Sequence, residues 1–374
     1  MQVRLLLLVY VALATLAAAC PSLLNHSAPQ IVDHPHLNRM LGRRWTEFVT
    51  DLQSCVTRWP RGQDRYTRIY YCYATVEHKN QLKDLISAAL ALWANALGPA
   101  GANSQHSLLV VEHPLHFCYT RRNPNDQNSP FVWNQNIPEE TLLIQVDAST
   151  GSATSHPGFS NGRQETHFGL PTAGRHFMKV NPNLINMFRN NPHRGMETAR
   201  ASIAHEFGHV FGLEHEHARE DRDRYVFFDC TGLEGYPEAK ARLQAEQQAG
   251  RTQDKMSQVC YFPDVAKKYG FGRIENYSKP NTFRIRGGVS FELRRRHGFE
   301  YDVHSIMHYG SSMGARYWNP NDLANAKVPL RRWRNGGPNF QPPKQATNQN
   351  SELIRTNERP SNLDVEILRI LYPS

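Results

Sequence analysis

The chain is most tightly constrained at His205-Glu206-Phe207-Gly208-His209-Val210-Phe211-Gly212-Leu213-Glu214-His215, which fits the pattern H-E-x-x-H-x-x-G-x-x-H. Residues four apart lie one helical turn apart on the same face, so a helix through this stretch aims the imidazoles of His205 and His209 at one point. Gly212 can take the left-handed conformation that ends a helix, and the chain then turns back to bring His215 to the same point. Three histidines on one zinc ion leave a fourth position open for water, whose pKa the metal lowers to about 7. One catalytic Zn2+ is therefore expected. Glu206 directly follows the first histidine and is placed to take that water's proton as a general base. The alternative, an amphipathic helix with surface histidines, requires neither the glutamate nor the glycine at these spacings.

With 374 residues and 40% hydrophobic composition, the chain can bury one large core or two average ones. Arg4 precedes an apolar run from Leu5 to Ala19 that closes on Ala17-Ala18-Ala19. This reads as a secretory signal over residues 1–19 and implies a secreted, extracellular protein. The run is shorter than the ~20 residues a membrane span needs, so no membrane association is expected once it is removed. Cys20, Cys55, Cys72, Cys118, Cys230 and Cys260 include no C-x-x-C pair and read as disulfide staples, not metal ligands. Cys72 with Cys118 and Cys230 with Cys260 each bracket a local unit, leaving Cys20 and Cys55. Asn25 and Asn276 head glycosylation sequons. The formal charge of +9 includes the runs Arg294-Arg295-Arg296 and Arg331-Arg332-Trp333-Arg334. No nucleic-acid motif accompanies them, so they read as solvated surface and no nucleic-acid partner is expected.

Residues 20–57 are polar and rich in His and Pro, a pro-segment or N-terminal arm in which His34 and His36 read as loop residues. Beyond Trp59-Pro60, strand-like runs occur at 68–73, 108–111, 142–146 and 177–180. Leu82, Leu85, Ile86, Ala89, Leu90, Trp93 and Leu97 recur at helical spacing up to Gly98. The motif helix begins near Met196, with Ala199, Ile203, Phe207, Val210 and Phe211 as its buried stripe. The implied layout is α+β, with a sheet backing the motif helix. Further on, 237–248 reads as a surface helix, 335–350 as a long loop, and Ser361 as the cap of a closing helix.

From the third histidine the chain reads His215-Glu216-His217-Ala218-Arg219-Glu220-Asp221-Arg222-Asp223. This resembles the astacin family of zinc metalloproteases, whose signature continues H-E-x-x-R-x-D-R-D. Ser305-Ile306-Met307-His308-Tyr309 resembles that family's Met-turn. The resemblance implies a two-lobed metzincin catalytic domain over residues 58–374: a twisted mixed sheet with the active-site helix in the N-terminal lobe, and an irregular C-terminal lobe. It implies zinc ligation by His205, His209 and His215 with Tyr309 as a further ligand, Glu206 as base and then acid, and Met307 beneath the metal. In the family the tyrosine swings away to stabilise the oxyanion. Glu216 matches the glutamate that meets the mature N-terminus, and Arg219, Asp221, Arg222 and Asp223 would form a salt-bridged corner. The substrates would be proteins or peptides, cleaved by an endopeptidase.

Three departures accompany the likeness. About 90 residues separate His215 from Met307, so residues 228–275 read as an insertion. The pro-segment lacks the F-x-G-D motif, leaving Asp33 and Cys55 as weak substitutes for a blocking ligand. The cysteines do not reproduce the family framework. The reading from a different class is a secreted zinc-binding scaffold without turnover, which would predict a broken motif where this one is intact.

Overall fold

The computed structural model describes residues 56–374 apart from 163–165, 167–169, 192, 280–281, 285–289, 293–299, 320 and 323–325. Residues 1–55, and with them the signal, nearly all of the arm, Asn25, His34, His36, Cys20 and Cys55, lie outside the described residues, as does 293–299 with its arginine run.

A five-stranded sheet comprises β1 (Thr67–Tyr73), β2 (Leu108–Phe117), β3 (Leu142–Val146), β4 (Ala153–Ser155) and β5 (Phe177–Val180), in the order β2-β1-β3-β5-β4. The first four strands in that order are parallel, and β4 pairs antiparallel with β5. A central parallel strand must cover both faces, and Leu142, Leu143 and Ile144 are accordingly all buried. β2 runs well past the predicted 108–111 and contains Pro114, which an edge strand tolerates because its outer N–H groups need no ladder partner. The sequence pattern does not predict β4. Ala153-Thr154-Ser155 lacks alternating apolar residues, and its order comes from pairing with β5.

Helix α1 (Val76–Leu97) buries Leu82, Leu85, Ile86, Ala89, Leu92, Trp93 and Leu97. It ends at Gly98, whose φ of +79° lies where only glycine sits without strain. After α2 (Pro182–Asn190) comes the motif helix α3 (Arg194–Val210), and all five predicted stripe residues are buried. Trp93 of α1 donates its indole N–H to the carbonyl of Ala204 at 2.8 Å, fixing the two helices in contact.

A second core gathers Val226, Leu233, Leu243, Val259, Ile274 and Leu330. The C-terminal lobe is more regular than expected. It contains β6 (Val226–Phe228), the helices α4 (Tyr236–Gln248), α5 (Met256–Tyr261) and α6 (Pro263–Lys268), and the strands β7 (Leu330–Trp333) and β8 (Ser351–Glu352). β7 lies between β6 and β8 in an antiparallel sheet. The Arg331–Arg334 run is therefore largely a strand: Trp333 turns into the core, Arg331 donates to Ser351 Oγ at 2.9 Å, and Arg332 and Arg334 face Glu352 at 3.8 and 3.3 Å. Disulfides join Cys72 to Cys118 and Cys230 to Cys260. Among the described residues no helix is long and apolar enough to cross a membrane. The closing helix α7 (Asn362–Leu371) is capped by Ser361, whose hydroxyl accepts from Asp364 N–H while the Asp364 carboxylate accepts from Ser361 N–H.

Candidate metal centre

Helix α3 ends where the chain must turn to return a third histidine. Gly212 takes φ +94°, and the amides of Gly212 and Leu213 close back on the carbonyls of His209 and Gly208 at 2.8 and 2.9 Å. The terminal carbonyls of a helix lack intrahelical donors. Here distant parts of the chain supply them: the Trp59 indole N–H donates to Val210 at 2.7 Å, and the Tyr372 hydroxyl to Phe211 at 2.8 Å.

The three predicted histidines converge. His215 Nε2 lies 3.1 Å from His205 Nε2 and 3.2 Å from His209 Nε2. Nδ1 of His205 is 2.8 Å from the Ile306 carbonyl, and Nδ1 of His209 is 2.8 Å from the Leu213 carbonyl. A carbonyl can only accept, so both Nδ1 atoms carry the proton and both Nε2 atoms present lone pairs. Burial pushes the imidazoles toward the neutral form, His205 down to about 3 and His209 to about 4. Lone pairs aimed at one another this closely call for a cation between them. Zinc bonds of ~2.0–2.1 Å in a tetrahedron would separate the nitrogens by about 3.3 Å, so the donor set fits zinc.

Glu206 is buried beside the triad, and burial pushes its carboxyl up to about 7 against opposing hydrogen bonds from Ser155. Ser155 Oγ, on edge strand β4, lies 2.8 Å from Glu206 Oε2 and 2.9 Å from the Glu206 carbonyl. The sequence carries no signal for this serine. Met307 is fully buried against α3, where a Cβ on Gly208 would sit 2.4 Å from its Sδ. A small residue at 208 is thus required, which the bare histidine pattern leaves unspecified. The Tyr309 ring packs 4.6 Å from His215 and 5.6 Å from His205 between centroids, and burial holds its phenol well above the usual range.

The predicted corner forms around Arg219. Its guanidinium makes a bidentate pair with Asp221 at 2.9 and 2.8 Å and contacts Glu216 Oε1 at 2.8 Å. Glu216 Oε1 also accepts from Asp302 N–H at 2.8 Å. Its Oε2 is buried with no hydrogen-bond partner among the described residues. Arg222 is fully buried over the Phe228 ring, and Asp223 pairs with Lys279 at 2.5 Å. Sequence reasoning missed Asp364, which accepts from Ser305 Oγ at 2.6 Å and Ile306 N–H at 2.9 Å. It thereby holds the turn whose carbonyl orients His205.

A helix bearing this histidine pattern, a glycine turn that returns the third histidine and a buried methionine against the helix define a metzincin site. Residues 195–256 match the family model Astacin (peptidase family M12A). The chain is similar to zinc metalloproteinase nas-34 of Caenorhabditis elegans, 27% identical over 140 residues, which are 35% of this chain and 23% of that protein. The chain thus spans under a quarter of the length of that curated relative. A solved structure of high choriolytic enzyme 1, a hatching enzyme zinc-protease from the medaka Oryzias latipes, aligns at 14% identity with a TM-score of 0.41, covering 87% of this chain and 98% of that one. The likeness to the astacin family of metzincins thus lies over residues 195–256, the stretch that holds the three histidines.

Proposed function

We propose that the protein is a secreted zinc-dependent endopeptidase acting on protein or peptide substrates. The observation that carries this reading is the convergence of three imidazole Nε2 atoms beside a buried carboxylate. His205, His209 and His215 would hold zinc, with Tyr309 as a further ligand at rest. Bound there, zinc supplies a Lewis acid and a water acidic enough to act as nucleophile near neutral pH. Glu206 takes the proton of the attacking water at one carboxylate oxygen and returns it to the leaving amine nitrogen. The Tyr309 phenol donates a hydrogen bond to the developing oxyanion. Met307 forms the apolar floor beneath the histidines. The unpartnered Glu216 Oε2 supports a role for Glu216 in receiving the ammonium of a matured N-terminus.

In this reading residues 1–19 are the signal, 20–57 a pro-segment or arm, and 58–374 the catalytic domain, with 228–275 inserted. The two disulfides support an oxidising, extracellular setting. The test is cleavage of unfolded proteins by the purified chain, with and without chelator, beside Glu206→Ala. Chelator is expected to abolish cleavage, and loss of the base to slow it about 10²–10⁴-fold. Cleavage that is undiminished by chelator or by Glu206→Ala would overturn the assignment.

A further inference from the structure

The Tyr309 ring is flanked by more than the triad. The His217 ring stacks on it at 4.4 Å between centroids and 26° between planes, and Tyr277 packs 5.3 Å from His217 and 5.7 Å from Tyr309. His217 is fully buried and held at both ring nitrogens: Nε2–H donates to the Asn276 carbonyl at 2.8 Å, and Nδ1 accepts from Tyr309 N–H at 3.2 Å. Its own carbonyl accepts from Arg222 Nη1 at 2.9 Å, and the same Nη1 donates to the Tyr277 carbonyl. On the other side, His308 Nδ1–H donates to the Tyr309 carbonyl at 2.8 Å while its Nε2 accepts from the Tyr301 hydroxyl at 2.7 Å. Two imidazoles thus hold the Tyr309 backbone from both flanks.

We propose that His217 is a positioning residue that sets the resting place of Tyr309, and that Asn276 and Tyr277, directly after the inserted segment, brace it there. This rests on the reading of Tyr309 as a ligand that parks on the metal and swings away. The stacked face of His217 favours the parked ring. One such aromatic pair is worth about a 2- to 10-fold change in the ratio of parked to released side chain. Asn276 and Tyr277 follow directly on residues 228–275, so that segment has a route to the chemistry through His217.

The probe is Cu(II) added to the metal-free protein, because a phenolate on copper gives a visible charge-transfer band. The product of band intensity per bound copper and copper affinity tracks the parking equilibrium whether the parked form dominates or is minor. His217→Asn, which keeps an acceptor for Tyr309 N–H but removes the face, is expected to lower that product about 2- to 10-fold, and His217→Phe, which keeps the face, to retain it. In a Tyr309→Phe background His217→Asn should leave copper affinity unchanged. If His217→Asn does not fold, Tyr277→Leu, which removes the ring behind His217, is expected to lower the product in the same direction. An unchanged product in the face-removing variant overturns the inference alone. A wild-type band that survives Tyr309→Phe overturns the parked-ligand reading and the inference with it.

Discussion

At the scale of single residues, Ser155 shows how much of the site lies outside the motif. Its hydroxyl has one proton to give and stands near both the Glu206 carboxylate and the Glu206 carbonyl. Donated to Oε2, that proton fixes one carboxylate oxygen and leaves the other to face the reacting water. A hydrogen bond to a charged group is worth about 1.5–3 kcal/mol, so Ser155→Ala should lower kcat about 10- to 100-fold. KM should stay constant, since the serine orients the base and does not hold substrate. Ser155→Thr should recover most of the loss. Steady-state kinetics decide it: a rise in KM with constant kcat, or no recovery with threonine, would show that the serine acts otherwise. The histidines were legible because helical spacing alone brings two of them together. Ser155 was not, because Ala153-Thr154-Ser155 has no pattern of its own and reaches Glu206 only through the register of β4 on β5.

At the scale of elements, the catalytic helix is secured by its surroundings more than by its own caps. His193 supplies no side-chain cap at the start of α3, whereas Trp59 and Tyr372 complete its far end. Helix α7 reaches the site through Asp364, which caps its own helix and holds Ile306, whose carbonyl orients His205. Burial raises the Asp364 carboxyl from 3.8 to about 6, with the nearby Asp302 charge adding to the shift and the hydrogen bonds from Ser305, Ser361 and Ile306 opposing it. The folded state therefore holds this proton over a pH range where the unfolded chain has lost it. Its contribution to stability is full below about pH 4 and declines as pH rises through about 6, by about 3 kcal/mol in all. Urea unfolding across this window should show the wild-type advantage over Asp364→Asn shrinking with rising pH, and a growing advantage would reverse the sign argued here. The elements legible in the sequence, α1, α3, α4, α7, β1, β2, β3 and β5, carry their own apolar run, helical composition or cap. The hairpin of Tyr119–Arg121 with Phe131–Trp133, and β6 to β8, are short strands ordered mainly by their partners, so local pattern could not reveal them.

At the scale of the whole molecule, two hydrophobic cores meet at the site. Ile306 and Met307 belong to the first, with the sheet, α1, α3 and α7, while Tyr301, Val303 and Tyr309 pack against the second. The seam thus passes through the Met-turn. His205 and His209 stand on a helix of the first core, and His215 opens the turn that leads through Glu216 and Arg219 to Asp302. An ion held by all three would tie the helix to that turn, and a site built this way binds metal only when both are in place. Folding and zinc binding are then linked, and free zinc at 1,000 times its dissociation constant should add about 4 kcal/mol to unfolding. Scanning calorimetry should show a melting temperature that rises with zinc and falls with chelator. In His215→Ala, which leaves both helix histidines in place, most of that response should disappear. A melting temperature indifferent to zinc in the wild-type chain would mean that the three histidines do not work as one site, and a full response in His215→Ala would mean that the helix pair alone holds the ion.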